Sequence, residues 1–137
     1  MTAQPSRGAA VAVELNHTIV FARDKRVSAE FLAEVLGLEV GAPFGPFLPV
    51  ETGNGVALDF YESADASFTP QHYAFLVSDE EFDTMIARLE RMRVTYYPDP
   101  SHTEAGEVNH LFGGRGAYFA DPDGHNMEIM THPYSRG

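Results

Sequence analysis

Residues 15–24 read LNHTIVFARD, and residues 71–79 read QHYAFLVSD. Each stretch carries a histidine near its start, then six residues that are mostly apolar, and then an aspartate. Runs rich in β-branched and aromatic residues are typical of β-strands. The two histidines, His17 and His72, hold equivalent places 55 residues apart. We therefore interpret the chain as a duplicated structural unit.

Each half continues with the same order of elements. Apolar residues recur at helical spacing over about residues 27–36 and again over 79–92, and Gly37 is a typical helix stop. Ser78 followed by Glu81 forms a capping-box pattern at the start of the second helix. Short strands are predicted after each helix, at about 47–51, 56–62, 94–97, 116–121 and 126–131. The second half also carries an insertion at roughly residues 98–115, which is longer than most connections without a function.

This order predicts an α+β fold made of tandem βαβββ repeats. We expect the strands to form one curled mixed sheet around a cavity, with both helices outside. The predicted half-modules span about residues 13–65 and 70–133 within a single domain, 13–137, and residues 1–12 form a flexible tail. A length of 137 residues suits one domain.

Composition excludes several classes of function. Twenty Asp and Glu against nine Lys and Arg give a net charge of −11, which opposes binding to nucleic acids or to anionic membranes. The chain has no cysteine, so it has neither a thiolate metal site nor a cysteine nucleophile. No apolar run approaches the roughly 20 residues that a membrane helix needs, and the start does not resemble a signal peptide. We expect a cytoplasmic protein whose partner is a small molecule.

Three residues form the candidate metal site, namely His17, His72 and Glu128. Glu128 is flanked by Met127 and Ile129 on the last predicted strand, so its side chain points away from them. Two imidazoles and one carboxylate are typical of sites for Fe(II) and related divalent metals. A shared metal requires the two histidine ring nitrogens to lie within roughly 6 Å of each other. A set of buried, hydrogen-bonded polar residues is the alternative interpretation.

Four stretches resemble the vicinal oxygen chelate superfamily, and the resemblance covers about residues 14–132. They are LNH at 15–17, FLAEVLG at 31–37, QHYAF at 71–75 and GRGAYFADPDGHNME at 114–128. The superfamily groups glyoxalases, extradiol dioxygenases, fosfomycin-resistance thiol transferases and metal-free bleomycin-resistance proteins. The resemblance implies that His17, His72 and Glu128 bind a divalent metal, with Fe²⁺ or Mn²⁺ favoured and Ni²⁺ or Zn²⁺ as alternatives. It also implies a homodimer.

A finer resemblance concerns the extradiol dioxygenases. His110, Tyr118 and the DPDG turn precede Glu128 in the order that this family shows, which implies that His110 and Tyr118 lie beside the substrate. The family also has a histidine shortly before its middle ligand, whereas Asp59 stands in that approximate place here. Glyoxalase I has a fourth metal ligand on the corresponding strand, so Asp59 is either a catalytic group, a shortened ligand or a structural acid.

The resemblance implies a metal-dependent enzyme, most similar to an extradiol dioxygenase, that binds a substrate through two adjacent oxygens. A glyoxalase-type lyase or isomerase and a fosfomycin-type thiol transferase are alternatives, and a metal-free drug-binding protein is a second alternative. A phosphonate substrate requires several cations, yet between residues 94 and 137 only Arg115 and Arg136 are available. We take Arg115 as the candidate for binding an anionic substrate group.

Overall fold

The computed structural model describes residues 12–65 and 67–136, so the expected N-terminal tail lies almost entirely outside the described residues. The first unit contains β1 (His17–Ala22), α1 (Lys25–Leu36), β2 (Leu48–Glu51) and β3 (Ala57–Glu62). The second contains β4 (His72–Leu76), α2 (Asp79–Arg91), β5 (Tyr96–Tyr97), a 3₁₀ turn (Leu111–Gly113), β6 (Gly116–Ala120) and β7 (Asn126–Met130). The predicted helices and strands are confirmed, with ends that differ by at most about two residues.

The strands form two open sheets with matching topology. The first has the order β1-β3-β2 and the second the order β4-β7-β6-β5. In each sheet the first strand of the unit runs parallel to the last, and the other pairs are antiparallel. The counterpart of β5 in the first unit is reduced to a single bridge between Val40 and Val50. The α+β class and the duplicated modules are therefore confirmed.

Local chemistry fixes the ends of both helices. The Asp24 side chain accepts hydrogen bonds from the Arg26 and Val27 amides at the start of α1, and α1 ends at Gly37, whose φ is 70°. A left-handed residue at this position favours glycine. Ser78 and Glu81 form the predicted capping box at the start of α2. No helix in the described part of the chain is both long and apolar enough to cross a bilayer.

The hydrophobic core lies between the helices and one face of each sheet. It is a single cluster to which both helices and both sheets contribute, including Val20, Leu32, Phe60, Phe82, Leu89, Phe119, Met127 and Ile129. Each fully buried side chain of this kind contributes about 1.5–3 kcal/mol. Side chains alternate along a strand. His17 on β1 and Glu128 on β7 therefore each lie on the face of their sheet that points away from the core.

The turn at residues 121–125 ties the two units together. The Asp123 carboxylate accepts a hydrogen bond from the buried Ser28 hydroxyl of α1. The His125 ring accepts the Gln71 amide at 2.9 Å through Nδ1, and its Nε2–H donates to the Phe21 carbonyl at 2.7 Å. The DPDGH stretch is thus a structural contact between the units as well as a turn between β6 and β7.

Candidate metal centre

Glu128 is the centre of the candidate site. It lies in the middle of β7, directly opposite Tyr118 of β6 and beside Ala74 of β4. Only 1% of its surface is exposed, although it faces away from the helices. A buried carboxylate is costly unless its oxygens have partners, and the two Glu128 oxygens face His72 and Tyr134.

His72 is the first of these partners, and its orientation is fixed. Its Nε2 lies 3.1 Å from Glu128 Oε1, and its Nδ1 lies 2.9 Å from the backbone oxygen of Asn126. Because a carbonyl only accepts, Nδ1 carries a proton, and in the neutral ring Nε2 presents a lone pair to the carboxylate. Two lone pairs that converge in this way favour a cation between them, and a carbonyl behind the imidazole is the usual support of a metal-binding histidine. The two residues therefore fit a divalent metal.

Tyr134 is the second partner, and it was not among the candidate residues predicted from the sequence. Its hydroxyl donates to Glu128 Oε2 at 2.6 Å and lies 3.0 Å from the Tyr118 hydroxyl. An ionised carboxylate only accepts, so the Tyr134 proton goes to Glu128 and Tyr118 donates to Tyr134. Burial, the Tyr134 hydroxyl and the Glu128 charge all raise the pKa of Tyr118, so this phenol keeps its proton. The one sequence signal near Tyr134 is Pro133, because a proline disfavours continuation of β7. It indicates that the chain leaves the sheet before Tyr134, but not where Tyr134 goes.

A pocket of about 330 Å³ opens beside the His72–Glu128 pair. Its other walls are Ala74, Leu76, Met130, Pro133, Tyr134 and Arg136. Most of this lining is apolar, and Arg136 supplies the only full positive charge among the lining residues. Such a pocket suits a small molecule with an apolar body and few polar groups.

His17 and Asp59 lie together on the other sheet. β1 pairs with β3 so that His17 is opposite Ala57 and Ile19 is opposite Asp59, which places His17 and Asp59 on the same uncovered face. Asp59 is 8% exposed, and its carboxylate makes no hydrogen bond or ion pair with any described residue. It is therefore a buried acid with a free carboxylate close to a histidine.

One chain does not bring the predicted metal triad together. Within residues 12–65 and 67–136, no three His, Asp or Glu side chains converge as a metal site. The reason is that β1 and β4 begin different sheets, and each histidine lies on the uncovered face of its own sheet. The structure thus joins His72 to Glu128 and leaves His17 in a separate half-site.

Arg115 and His110 lie outside the pocket. The Arg115 guanidinium binds Asp79 at 3.0 Å and Asp83 at 2.7 Å, and it lies 4.6 Å from the centre of the Phe82 ring. These contacts hold Arg115 against α2 and away from the lining of the pocket beside His72 and Glu128. His110 is exposed and precedes the 3₁₀ turn.

Comparisons with known proteins identify the family and the fold of the chain. The profile of the Glyoxalase/Bleomycin resistance protein/Dioxygenase superfamily matches residues 14–129. The solved structure of oxidase ChaP-H2 is 57% identical, with a TM-score of 0.88 over 93% of this chain and 99% of that one. Oxidase ChaP-H1 is 51% identical, with a TM-score of 0.87 over 91% and 100%. Glutathione transferase FosA from Serratia marcescens is 31% identical over 120 residues, which are 84% of this chain and 78% of that relative.

Proposed function

Because the chain belongs to the Glyoxalase/Bleomycin resistance protein/Dioxygenase superfamily, we propose that it is a divalent-metal oxidase or dioxygenase of small molecules. Its substrate presents two adjacent oxygens to the metal, and Fe²⁺ or Mn²⁺ is the favoured ion. The observation that carries this proposal is the oriented His72–Glu128 pair at the end of an apolar pocket. Its oxidative chemistry rests on the similarity to two oxidases over nearly the whole chain.

The third ligand of this centre is His17 of the partner subunit in a homodimer. The uncovered face of β1 exposes Ile19 (41%) and Phe21 (38%) beside His17, and that of β4 exposes Leu76 (59%) beside His72. Apolar side chains on two complementary faces favour burial against a second copy. A two-fold axis then forms two identical centres, each with His72 and Glu128 from one chain and His17 from the other.

A bound divalent metal supplies a Lewis acid for the adjacent oxygens of the substrate and, as Fe²⁺ or Mn²⁺, a path for electrons to O₂. The chain's own residues prepare that site. The Asn126 carbonyl fixes the His72 ring, and the Glu128 charge compensates part of the metal charge. Ala74 and Leu76 exclude water from the substrate's apolar body. Tyr118 donates a hydrogen bond to the Tyr134 hydroxyl, which in turn donates to Glu128.

Metal analysis and oxygen uptake test the proposal. We expect the purified protein to hold stoichiometric divalent metal and, with Fe²⁺ or Mn²⁺, to consume O₂ with at least one member of a catechol panel. The chelated protein is the matched control and should consume none. A protein without metal would support the drug-binding alternative, and a metal-loaded protein without O₂ uptake would support a lyase, isomerase or transferase.

A thiol transferase is the second candidate function. The 31% identity with glutathione transferase FosA and the position of Arg136 in the pocket favour it. A phosphonate, however, needs several cations, and Arg115 is already bound by Asp79 and Asp83. Loss of free glutathione thiol in the presence of fosfomycin and Mn²⁺ measures this activity. We expect the rate to stay at the level of the reaction without protein.

A further inference from the structure

The C-terminal segment after β7 returns to the metal centre. Tyr134 lies six residues beyond Glu128, and its hydroxyl donates to Glu128 Oε2 at 2.6 Å. The other oxygen of the same carboxylate, Oε1, faces His72. We propose that Tyr134 is a positioning residue that holds Oε2, so that Glu128 presents Oε1 alone to the metal. This inference rests on the metal site of the proposed function.

The Tyr134 hydroxyl is held in place before any metal binds. Its ring stacks on Phe112 with the centroids 4.6 Å apart, and the Arg136 guanidinium lies 5.5 Å from the ring centre. The Tyr118 hydroxyl lies 3.0 Å from the Tyr134 hydroxyl and hydrogen-bonds to it. A donor held from several sides loses little conformational freedom when the centre assembles, so its hydrogen bond orients Glu128 at low entropic cost.

The orientation of Glu128 decides how many positions of the metal remain open. A carboxylate with two free oxygens can bind a metal through both, which occupies a second coordination position. With Oε2 held by the Tyr134 hydroxyl, Glu128 would offer the metal one oxygen, which would leave room for a substrate that binds through two oxygens. Tyr134 thus acts on the centre through Glu128 and has no need to touch the substrate.

The variant Tyr134→Phe tests this inference, because it removes one oxygen and keeps the ring between Phe112 and Arg136. Loss of a group that orients a metal ligand typically lowers metal affinity about 10–100-fold. We expect such a loss for Co²⁺ and Mn²⁺ added to the metal-free, full-length protein. We also expect the visible absorption of the Co²⁺-saturated variant to differ from wild type, because the coordination of Glu128 changes. Tyr118→Phe leaves the Tyr134–Glu128 bond intact and should have a smaller effect.

Tyr96→Phe is the matched control. The Tyr96 hydroxyl also donates to a glutamate, Glu90, and also at 2.6 Å, but Tyr96 packs in the core on the helix side of the sheet. Equal losses of metal affinity in the Tyr96 and Tyr134 variants would overturn the inference, as would unchanged affinity and an unchanged Co²⁺ spectrum in Tyr134→Phe. Those results leave the proposed function intact, whereas wild-type protein that binds no metal overturns the proposed function itself.

Discussion

Arg115 and Arg136 are the two Lys or Arg residues between residues 94 and 137, and their surroundings differ. Two helix acids bind Arg115, and its side chain is 29% exposed, whereas the acids are 76% and 68% exposed. Exposed ion pairs of this kind contribute about 0–1 kcal/mol. Arg136 lines the pocket beside the candidate metal pair.

We expect Arg115→Gln to lower the free energy of unfolding by no more than about 1 kcal/mol. Metal content and the KM of the true substrate should stay at wild-type values. Urea unfolding and steady-state kinetics measure these quantities. The matched variant Arg136→Gln should raise KM for an anionic substrate, and a rise of KM in Arg115→Gln instead would restore the substrate-binding role.

Glu128→Gln separates metal binding from stability at the same position. The amide keeps the volume and one acceptor for Tyr134 but removes a buried negative charge, and burial of an unpaired charge is costly. We expect most of the bound metal to be lost, while the thermal midpoint in chelator equals or exceeds that of chelated wild type. Metal analysis and melting curves check both expectations, with Glu90→Gln as control. A large fall of the chelated midpoint would show that Glu128 is mainly a structural acid.

For single residues, the sequence identified candidates by their chemistry and by their equivalent places in the repeat. It did not reveal contacts made by residues outside the repeated strands. His72 and Glu128 hold positions that a two-residue strand period places on one face. Tyr134 follows a proline and belongs to no strand, so no periodicity predicts where it folds. The ion pairs of Arg115 were not predicted because its partners, Asp79 and Asp83, lie more than thirty residues away in the chain.

Among the elements, the contact between α1 and the turn at residues 121–125 is the strongest candidate for a stability determinant. The Ser28 hydroxyl is buried and donates to the Asp123 carboxylate. Hydrogen bonds to charged groups contribute about 1.5–3 kcal/mol. We expect Ser28→Ala to lower the free energy of unfolding by about 2 kcal/mol, measured with urea. Ser63→Ala removes an exposed serine–Asp65 bond and should have almost no effect.

The same turn predicts a pH dependence of stability. Asp121 Oδ1 accepts the amides of Asp123 and His125, but the buried Oδ2 has no partner. Burial raises the pKa of Asp121 in the folded protein above its ordinary value. In the interval between the unfolded and folded pKa values the native state binds more protons, so wild type loses stability as pH rises through it.

Asp121→Asn removes this titration. We expect the free energy of unfolding of the variant, relative to that of wild type, to increase as the pH rises from 4 to 7. The unpaired amide N–H adds a cost that does not vary with pH, so the slope is the test. Asp65→Asn is the control with the opposite sign, because hydrogen bonds lower the pKa of Asp65. Parallel stability curves for wild type and Asp121→Asn would contradict the prediction.

The elements themselves were the most predictable level. Helical spacing, the Ser78–Glu81 capping box and Gly37 act locally, so they locate α1 and α2 without knowledge of the fold. The Val40–Val50 bridge, which is the counterpart of β5 in the first unit, was not predicted, because strand pairing depends on partners distant in sequence. The cross-unit role of His125 was missed for the same reason.

For the whole molecule, the duplication predicts two half-sites but not which halves meet. Within one unit, spacing and register place His17 near Asp59, and in the other they place His72 near Glu128. Whether a half-site faces the other unit of its own chain or that of a second copy depends on how the sheets pack, and no local pattern records this. The described residues of one chain contain no complete site.

Mixed dimers decide how the halves combine. We expect His17→Ala and Glu128→Ala homodimers each to lose nearly all metal. A heterodimer of the two variants, purified through two different tags, should recover half of the wild-type metal, because the intact His17 and the intact Glu128 then meet at one of the two centres. A heterodimer of wild type with the doubly substituted chain is the reciprocal control. It should hold almost none if the centres form between subunits, since each centre then lacks one ligand. If each centre formed within one chain, the heterodimer of the two single variants would hold almost no metal, and the heterodimer with wild type would hold half. That result would show that the proposed arrangement of the site is wrong.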